Sequence, residues 1–205
     1  KQRIQSTTNP CSNPKNNPPI LLILLPQYIK KDIFEMWFDG ANGGDGYYGG
    51  ARESRSIDAA TYYDFPNAFK IIKELQPDCA IWGWDQDCHW IGNEEGWAGQ
   101  TSWSTYNTGA NGNEYGDEDG WRWLPGEADA KNGPGWFWTF TDSQLKSAQE
   151  LFNIYMNSVG RNANLILNFP PNKTGSFSTQ TVNIMHQFKT LLDNAFGTDL
   201  ALNKT

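Results

Sequence analysis

The chain has 205 residues, of which 38% are hydrophobic and 14% aromatic, so it has enough apolar material for one compact domain with its own core. Its formal net charge of −7 and isoelectric point near 4.8 argue against a nucleic-acid partner, because phosphate binding needs clustered Lys and Arg. The longest apolar run, ILLILLP, is far shorter than the roughly 20 residues that span a bilayer, so no membrane partner is expected.

The start of the chain is predicted to be an arm followed by the folded domain. Residues 1–19 are rich in Asn, Pro, Ser and Thr and lack apolar periodicity, which predicts a poorly ordered arm, and the domain then covers residues 20–205. A strand is predicted at Ile33–Phe38, and a glycine-rich loop at residues 40–50 follows it.

A helix and a second strand come next. The helix is predicted to begin near Pro66 and to end at Pro77, with inward side chains at Phe69, Ile72 and Leu75. The short apolar run at residues 79–84 predicts a buried strand that leads into the acidic loop DQDCHWIGNEEGWAG. The strand and loop pattern therefore occurs twice.

The second half of the chain adds a long loop, two helices and a strand. Residues 101–120 are polar and predict an extended surface loop. A helix is predicted to begin near Thr141, where Thr141 and Gln144 have capping-box spacing, and a strand is predicted at Asn164–Asn168. The last predicted helix runs from about Ser178 to Ala195, with inward side chains at Val182, Met185, Phe188 and Leu191.

Alternating strands and helices indicate parallel βα units, and hence an α/β sheet or barrel whose ligand lies at the carboxyl ends of the strands. Asp39 directly follows the first predicted strand, and the second strand leads into a loop with four acids, Asp85, Asp87, Glu94 and Glu95. Two carboxylates at one rim are the pair that glycoside cleavage needs, one as acid and one as nucleophile. The alternative is that these acids cap turns or are solvated.

Other site chemistries have less support. The two histidines, His89 and His186, and the absence of a CxxC pair argue against a zinc site, and no motif for a nucleophilic serine or a phosphate cradle is present. No metal or cofactor is therefore expected. Cys79 and Cys88 leave two alternatives, a disulfide or buried thiols.

Four motifs in order carry a resemblance that covers roughly residues 32–175. They are EMWFDGANG, HWIGNEEGWAGQTSW, LPGEADAKNGPGWFW and SVGRNANLILNFPPNKTG. The chain resembles the α-L-fucosidases of glycoside hydrolase family 29, in particular the branch that acts on α-1,3- and α-1,4-linked fucose. The resemblance implies an exo-acting retaining hydrolase that removes fucose from a fucosylated oligosaccharide or glycoconjugate.

The resemblance also assigns roles to residues of this chain. It implies that Asp39 is the nucleophile and that Glu94 is the acid/base, with Glu95 as the competing candidate. It implies sugar-binding roles for a further set, Trp37, His89, Trp90 and Glu127. The acid is expected to have a raised pKa, either through the negative charge of the nucleophile or through burial against an apolar wall of Trp90, Ile91 and Trp97.

For the fold, the resemblance implies a (β/α)8-like TIM barrel, of which this chain supplies the C-terminal half, with the remainder of the barrel as a partner. The alternative is a catalytically dead or truncated barrel that serves as a fucose-binding module. The family also implies a secreted or extracellular or lysosomal glycoprotein, for which Asn172 and Asn203 are the candidate glycosylation sites.

Overall fold

The computed structural model describes residues 32–38, 43–83, 86–107 and 114–198. The chain divides into two compact units, Lys1–Ile81 and Trp82–Thr205, and each is treated by itself below. The predicted arm at residues 1–19, together with Asp39 and Asn203, lies outside the described residues.

The described residues of the first unit form two small pairs of strands and two α-helices. Its elements are β1 (Glu35–Trp37), β2 (Gly44–Gly46), β3 (Arg55–Ile57), α1 (Ala59–Tyr62), α2 (Phe65–Leu75) and β4 (Ala80–Trp82), whose last residue belongs to the second unit. β1 pairs with β4, and β2 pairs antiparallel with β3. The predicted strand at Ile33–Phe38 is confirmed as β1, shortened at both ends.

The predicted helix is α2, and its buried face is shifted from the expected one. Ile72 is only 1% exposed and packs with Ala68, Cys79 and Ile81, whereas Leu75 is 43% exposed, so the inward prediction for Leu75 is wrong. The reason is that Ala68 and Ile72 lie four residues apart and form one stripe of the helix. α2 ends when the Gln76 backbone N–H donates to the Ile72 carbonyl.

The second unit is built on parallel strands. Its elements are β5 (His89–Trp90), β6 (Thr105–Tyr106), β7 (Arg122–Trp123), β8 (Gly126–Lys131), α3 (Ala148–Ser158), β9 (Asn164–Asn168) and α4 (Thr179–Phe196). β5, β8 and β9 form a sheet in that order with parallel pairing, while β6 and β7 pair antiparallel. Because α3 connects the parallel neighbours β8 and β9, this unit contains the βαβ arrangement that the sequence predicts.

The beginning of α3 differs from the prediction. Thr141 and Gln144 do form a capping box, but it opens a single 3₁₀ turn at Asp142–Gln144. A second capping box follows, in which the Ser147 hydroxyl accepts from the Glu150 backbone N–H and the Glu150 carboxylate accepts from the Ser147 backbone N–H. The helix therefore begins seven residues later than predicted, because two capping boxes compete for its start.

The strand β9 and the helix α4 were predicted well. β9 has the predicted bounds, and the Ser178 hydroxyl caps α4 by accepting from the Thr181 backbone N–H. The inward prediction for Val182 is wrong, since Val182 is 37% exposed while Thr181 and Ile184 are buried. Within the described ranges, none of the helices combines the length and apolarity that a membrane span requires.

Of the alternatives left open for the cysteines, the structure has buried thiols. Cys79 and Cys88 are 1% and 4% exposed, each in the core of its own unit, and the Cys79 thiol donates to the carbonyl of Ala80. Burial of this kind is common for cysteine, which behaves as a small apolar residue.

Candidate active site

Strand β8 separates an apolar face from a polar one. Successive side chains of a strand point to opposite faces, so Ala128 and Ala130 share one face, and Glu127, Asp129 and Lys131 share the other. Ala128 packs into an apolar cluster with Ile91, Ala98 and Ala163, and Ala130 is also buried. The opposite face therefore carries two acids and a lysine in a row toward the carboxyl end of the strand.

Trp90 joins this polar face from β5. It pairs in register with Glu127, and its indole Nε1 donates to the Asp129 Oδ1 at 2.8 Å. Asp129 is only 4% exposed, and its burial raises the pKa of the carboxyl group. The Trp90 hydrogen bond opposes this shift, while the negative charge of Glu94 adds to it. Glu127 is buried to the same extent as Asp129.

Glu94 lies in the loop that follows β5 and reaches the end of β8. Its Oε2 accepts from the Lys131 Nζ at 3.0 Å and from the Trp136 Nε1 at 2.9 Å. The Lys131 ammonium also lies over the Trp136 ring, 4.9 Å from its centroid. Loops at the carboxyl ends of two parallel strands thus bring these three side chains together, as the fold rule for α/β proteins requires.

The prediction of a raised pKa for Glu94 is wrong when its contacts with the described residues of the second unit are considered. The hydrogen bond from Lys131, followed by that from Trp136, lowers the pKa of the Glu94 carboxyl group. The side chain is 49% exposed, so burial is too weak to reverse this direction. Of the expected apolar wall, Trp97 is 42% exposed and lies under the Arg161 guanidinium, while Trp90 is bonded to Asp129.

The loop of Glu94 is fixed by its neighbours. The Asn93 amide Nδ2 donates to the Trp97 carbonyl and to the Glu114 carboxylate, both at 2.8 Å, and its Oδ1 accepts from the Glu95 backbone N–H. Gly96 then donates its backbone N–H to the Asp129 carbonyl at 3.0 Å. The Gly96 bond ties the loop to β8, and the Asn93 bonds hold the loop together on the other side of Glu94.

Glu95 differs from Glu94 in its surroundings. Its side chain is exposed, and its carboxylate has no hydrogen-bond or ion-pair partner among the described residues. Glu94 is therefore the acid of this pair that the fold holds in place.

His89 was predicted to bind the sugar, but its ring is buried inside the second unit. The ring is 1% exposed, its Nδ1 lies 2.9 Å from the Trp90 carbonyl, and its Nε2 lies 2.5 Å from the Tyr106 hydroxyl. A carbonyl only accepts, so Nδ1 carries the hydrogen and Nε2 accepts from Tyr106. Both ring nitrogens thus form hydrogen bonds inside the unit, and these internal contacts replace the predicted contact of His89 with the sugar. Burial, with the nearby Asp117 charge, raises the pKa of Tyr106 to about 12.

Two further predicted residues belong to the first unit. Trp37 is half-buried on β1 of the first unit, and Asp39 lies outside the described residues. Conversely, the sequence reasoning missed Asp129, Lys131 and Trp136. The alternation of acid, alanine and lysine in GEADAK is the signal that indicates one polar strand face.

Carboxylates and indole groups grouped at the carboxyl ends of parallel strands define a site suited to acid–base chemistry on a sugar-like ligand. The comparisons agree with that class. The sequence model of the family Alpha-L-fucosidase matches residues 24–195. The chain therefore belongs to the alpha-L-fucosidase family.

Individual relatives give the same result. Alpha-L-fucosidase 1 of Arabidopsis thaliana is 37% identical over 179 residues, which is 83% of this chain and 33% of that protein. The crystal structure of a glycoside hydrolase 29 family member from an unknown rumen bacterium has 42% identity and a TM-score of 0.78, covering 89% of this chain and 34% of that one. A fucosidase of the same family from Ruminococcus gnavus, solved in complex with fucose, has 34% identity and a TM-score of 0.65, covering 82% of this chain and 35% of that one. The chain thus spans about a third of the length of these relatives.

Proposed function

We propose that this chain carries the catalytic carboxylates of an exo-acting, retaining α-L-fucosidase that removes terminal fucose from an oligosaccharide or glycoconjugate. Asp39 is the nucleophile and Glu94 is the acid/base. The most direct support is the position of Glu94 in this chain, which belongs to the family. Glu94 follows the carboxyl end of β5 and is bonded to Lys131, the last residue of β8. Catalytic groups of parallel α/β enzymes occupy that end of the strands.

The reaction has two displacements. In the first, an Asp39 carboxylate oxygen bonds to the anomeric carbon while Glu94 gives its proton to the departing glycosidic oxygen. In the second, Glu94 takes a proton from water, the water oxygen bonds to the anomeric carbon, and the bond to Asp39 breaks. No cofactor takes part in either step.

The polar face of β8 and the facing Trp90 supply the rest of the proposed pocket. Trp90 and Glu127 pair in register across β5 and β8, which supports sugar-binding roles for both. Trp37 keeps its proposed sugar-binding role. The proposed architecture is a (β/α)8 barrel, completed by a remainder that acts as the partner of this chain.

A proposed secretory route agrees with the turn that contains Asn172. The Asn172 Oδ1 accepts from the Thr174 hydroxyl at 2.7 Å and from its backbone N–H at 2.9 Å, both within the Asn-Lys-Thr triplet. Lys173 and Thr174 are exposed, so an oligosaccharide on this turn would extend into solvent. We propose Asn172 as a glycosylation site and a secreted, extracellular or lysosomal location.

One observation favours a second candidate, a fucose-binding module without turnover. The hydrogen bonds from Lys131 and Trp136 lower the pKa of Glu94 and so favour its ionised form, whereas the first displacement needs the protonated form. The aromatic and acidic side chains around it would still bind a sugar.

The test is hydrolysis of a chromogenic α-L-fucoside by the purified chain, with fucose binding measured in parallel by calorimetry. Hydrolysis supports the enzyme, and binding without hydrolysis supports the module. In Asp39→Gly we expect turnover to be lost and to return with azide as fucosyl azide. Asp45→Gly, which removes an exposed acid of the strand β2, is the matched control. Undiminished hydrolysis by Asp39→Gly contradicts the nucleophile assignment.

A further inference from the structure

The two hydrogen-bond donors at Glu94 converge on a single oxygen. Lys131 Nζ and Trp136 Nε1 both bond to Oε2, at 3.0 and 2.9 Å. An ammonium and an indole N–H can only donate, and a carboxylate oxygen has two in-plane lone pairs, so these two donors fill Oε2. A proton placed on Oε2 would face two other hydrogens. In the acid form of Glu94 the proton therefore belongs on Oε1.

We propose that Lys131 is a positioning residue for Glu94, which together with Trp136 keeps Oε2 as a permanent acceptor and leaves Oε1 to exchange the proton with the substrate. This inference rests on the proposed function of Glu94. In the first displacement the Oε1–H bond breaks as the proton passes to the departing oxygen. In the second displacement Oε1 receives a proton from the attacking water.

The surroundings of Lys131 hold its ammonium group in this place. The Lys131 side chain is 19% exposed, and its Nζ contacts both the carboxylate and the face of the indole ring. The Trp136 backbone carbonyl accepts from the Asn168 amide at 2.9 Å, and the Lys131 carbonyl accepts from the Lys146 Nζ at 2.8 Å. The ends of β8 and β9 thus fix both donors, which confines the Glu94 carboxylate to one orientation.

Among the described residues of the second unit, two charged groups of β8 interact with Glu94. The Lys131 ammonium favours the ionised carboxylate of Glu94, and the negative charge of Glu94 in turn raises the pKa of Asp129. Trp136, on the loop after β8, donates a neutral hydrogen bond. The lowered pKa of Glu94 agrees with the dominance of the lysine contact.

The test follows the Trp136 indole N–H resonance in a ¹H–¹⁵N spectrum of the chain as the pH is lowered. This hydrogen bonds to Glu94, so its shift reports the protonation of that carboxyl group, and Trp136→Phe identifies the signal by its loss. In the wild-type chain we expect a midpoint below the ordinary glutamate pKa of about 4.3. In Lys131→Met we expect the midpoint to rise by roughly half a unit to one unit.

Three further variants separate the explanations. Lys131→Arg keeps the charge and should titrate close to the wild type, and Lys131→Gln keeps a donor but loses the charge, so its midpoint should also rise. Lys189→Met removes the lysine of an exposed ion pair with Asp193 on α4 and should leave the midpoint unchanged. If Lys131→Met fails to fold, Lys131→Gln and the wild-type midpoint still decide the question.

An unchanged or lower midpoint in Lys131→Met or Lys131→Gln overturns the proposal, and so does a wild-type Trp136 signal that does not titrate. The measurement needs no turnover. A chain that hydrolyses no fucoside but shows the expected titration would contradict the proposed function while supporting the role of Lys131. Where the chain does hydrolyse the fucoside, the alkaline limb of its kcat/KM profile should move up in Lys131→Met.

Discussion

Gly96 closes the loop that carries Glu94, and its backbone has a φ of +67°, in the left-handed region that glycine adopts most readily. A Cβ built on Gly96 would lie 2.5 Å from the Ile154 Cγ2 and 3.0 Å from the Ala130 Cβ. Gly96→Ala therefore combines backbone strain with overpacking between the loop, α3 and β8.

The left-handed conformation costs a non-glycine residue about 1–2 kcal/mol, and overpacking of a core costs about 1–3 kcal/mol. We therefore expect strain and overpacking in Gly96→Ala to lower the free energy of unfolding by about 2–5 kcal/mol. Alanine also reduces the conformational entropy of the unfolded chain, which offsets about 0.4–1 kcal/mol of this loss. Gly175→Ala is the matched control, because Gly175 has a φ of +79° and nothing within 4 Å of its built Cβ. Gly175→Ala should therefore show the cost of backbone strain without the cost of overpacking.

The assay is urea unfolding of both variants and the wild-type chain, followed by tryptophan fluorescence. The difference between the two variants isolates the steric term, expected at about 1–3 kcal/mol. Equal losses in Gly96→Ala and Gly175→Ala would refute the argument that close packing behind the loop holds Glu94 in place.

Two further predictions concern buried polar groups of the second unit. Tyr106→Phe removes the buried O–H that donates to the His89 Nε2 and should cost about 1–3 kcal/mol of unfolding free energy. Tyr47→Phe, at a side chain 71% exposed, should change little, and equal effects of the two variants would contradict the buried contact. Asp129 has a raised pKa in the folded chain, so the folded chain binds the Asp129 proton more tightly than the unfolded chain does. The resulting stabilisation is present below the ordinary aspartate pKa of about 3.9 and is lost as the pH rises through the folded pKa. Asp129→Asn keeps an oxygen for the Trp90 N–H, so its advantage over the wild type in urea unfolding should grow from about pH 4 to pH 7, and a constant difference would argue against a raised pKa.

The sequence predicted the elements whose own residues contain the signal. β9 and α4 have the expected positions because an apolar run and a serine cap mark them locally, and the strand before Asp39 was found for the same reason. The long helix at Thr141 was misplaced because two capping boxes follow one another, and only packing of Leu151 and Ala148 selects the second.

β8 was missed because GEADAK contains residues with low strand propensity. It forms a strand because both its neighbours pair with it and because its alanines pack into the apolar cluster behind it. The contact of Glu94 with Lys131 joins residues 37 positions apart, so it depends on the register of β5 against β8. The alternation in GEADAK marks a polar strand face, but the sequence contains no signal that Glu94 contacts this face, because that contact depends on the tertiary pairing of β5 with β8.

The polar face of β8 shifts its two neighbouring acids in opposite directions. Burial raises the pKa of Asp129, while the hydrogen bonds from Lys131 and Trp136 lower the pKa of Glu94. Opposite shifts in adjacent carboxyl groups are typical of sites that divide acid and base roles.

In the proposed mechanism, the lowered pKa of Glu94 suits the second displacement, in which an ionised carboxylate takes a proton from water. The first displacement needs the protonated form, and the half-exposed side chain provides a way to reach it. A sugar that covers Glu94 would remove its water, and this desolvation would raise the pKa of the carboxyl group. On this argument substrate binding converts Glu94 from the base of the free site into the acid of the complex, while Lys131 keeps the same oxygen occupied in both states.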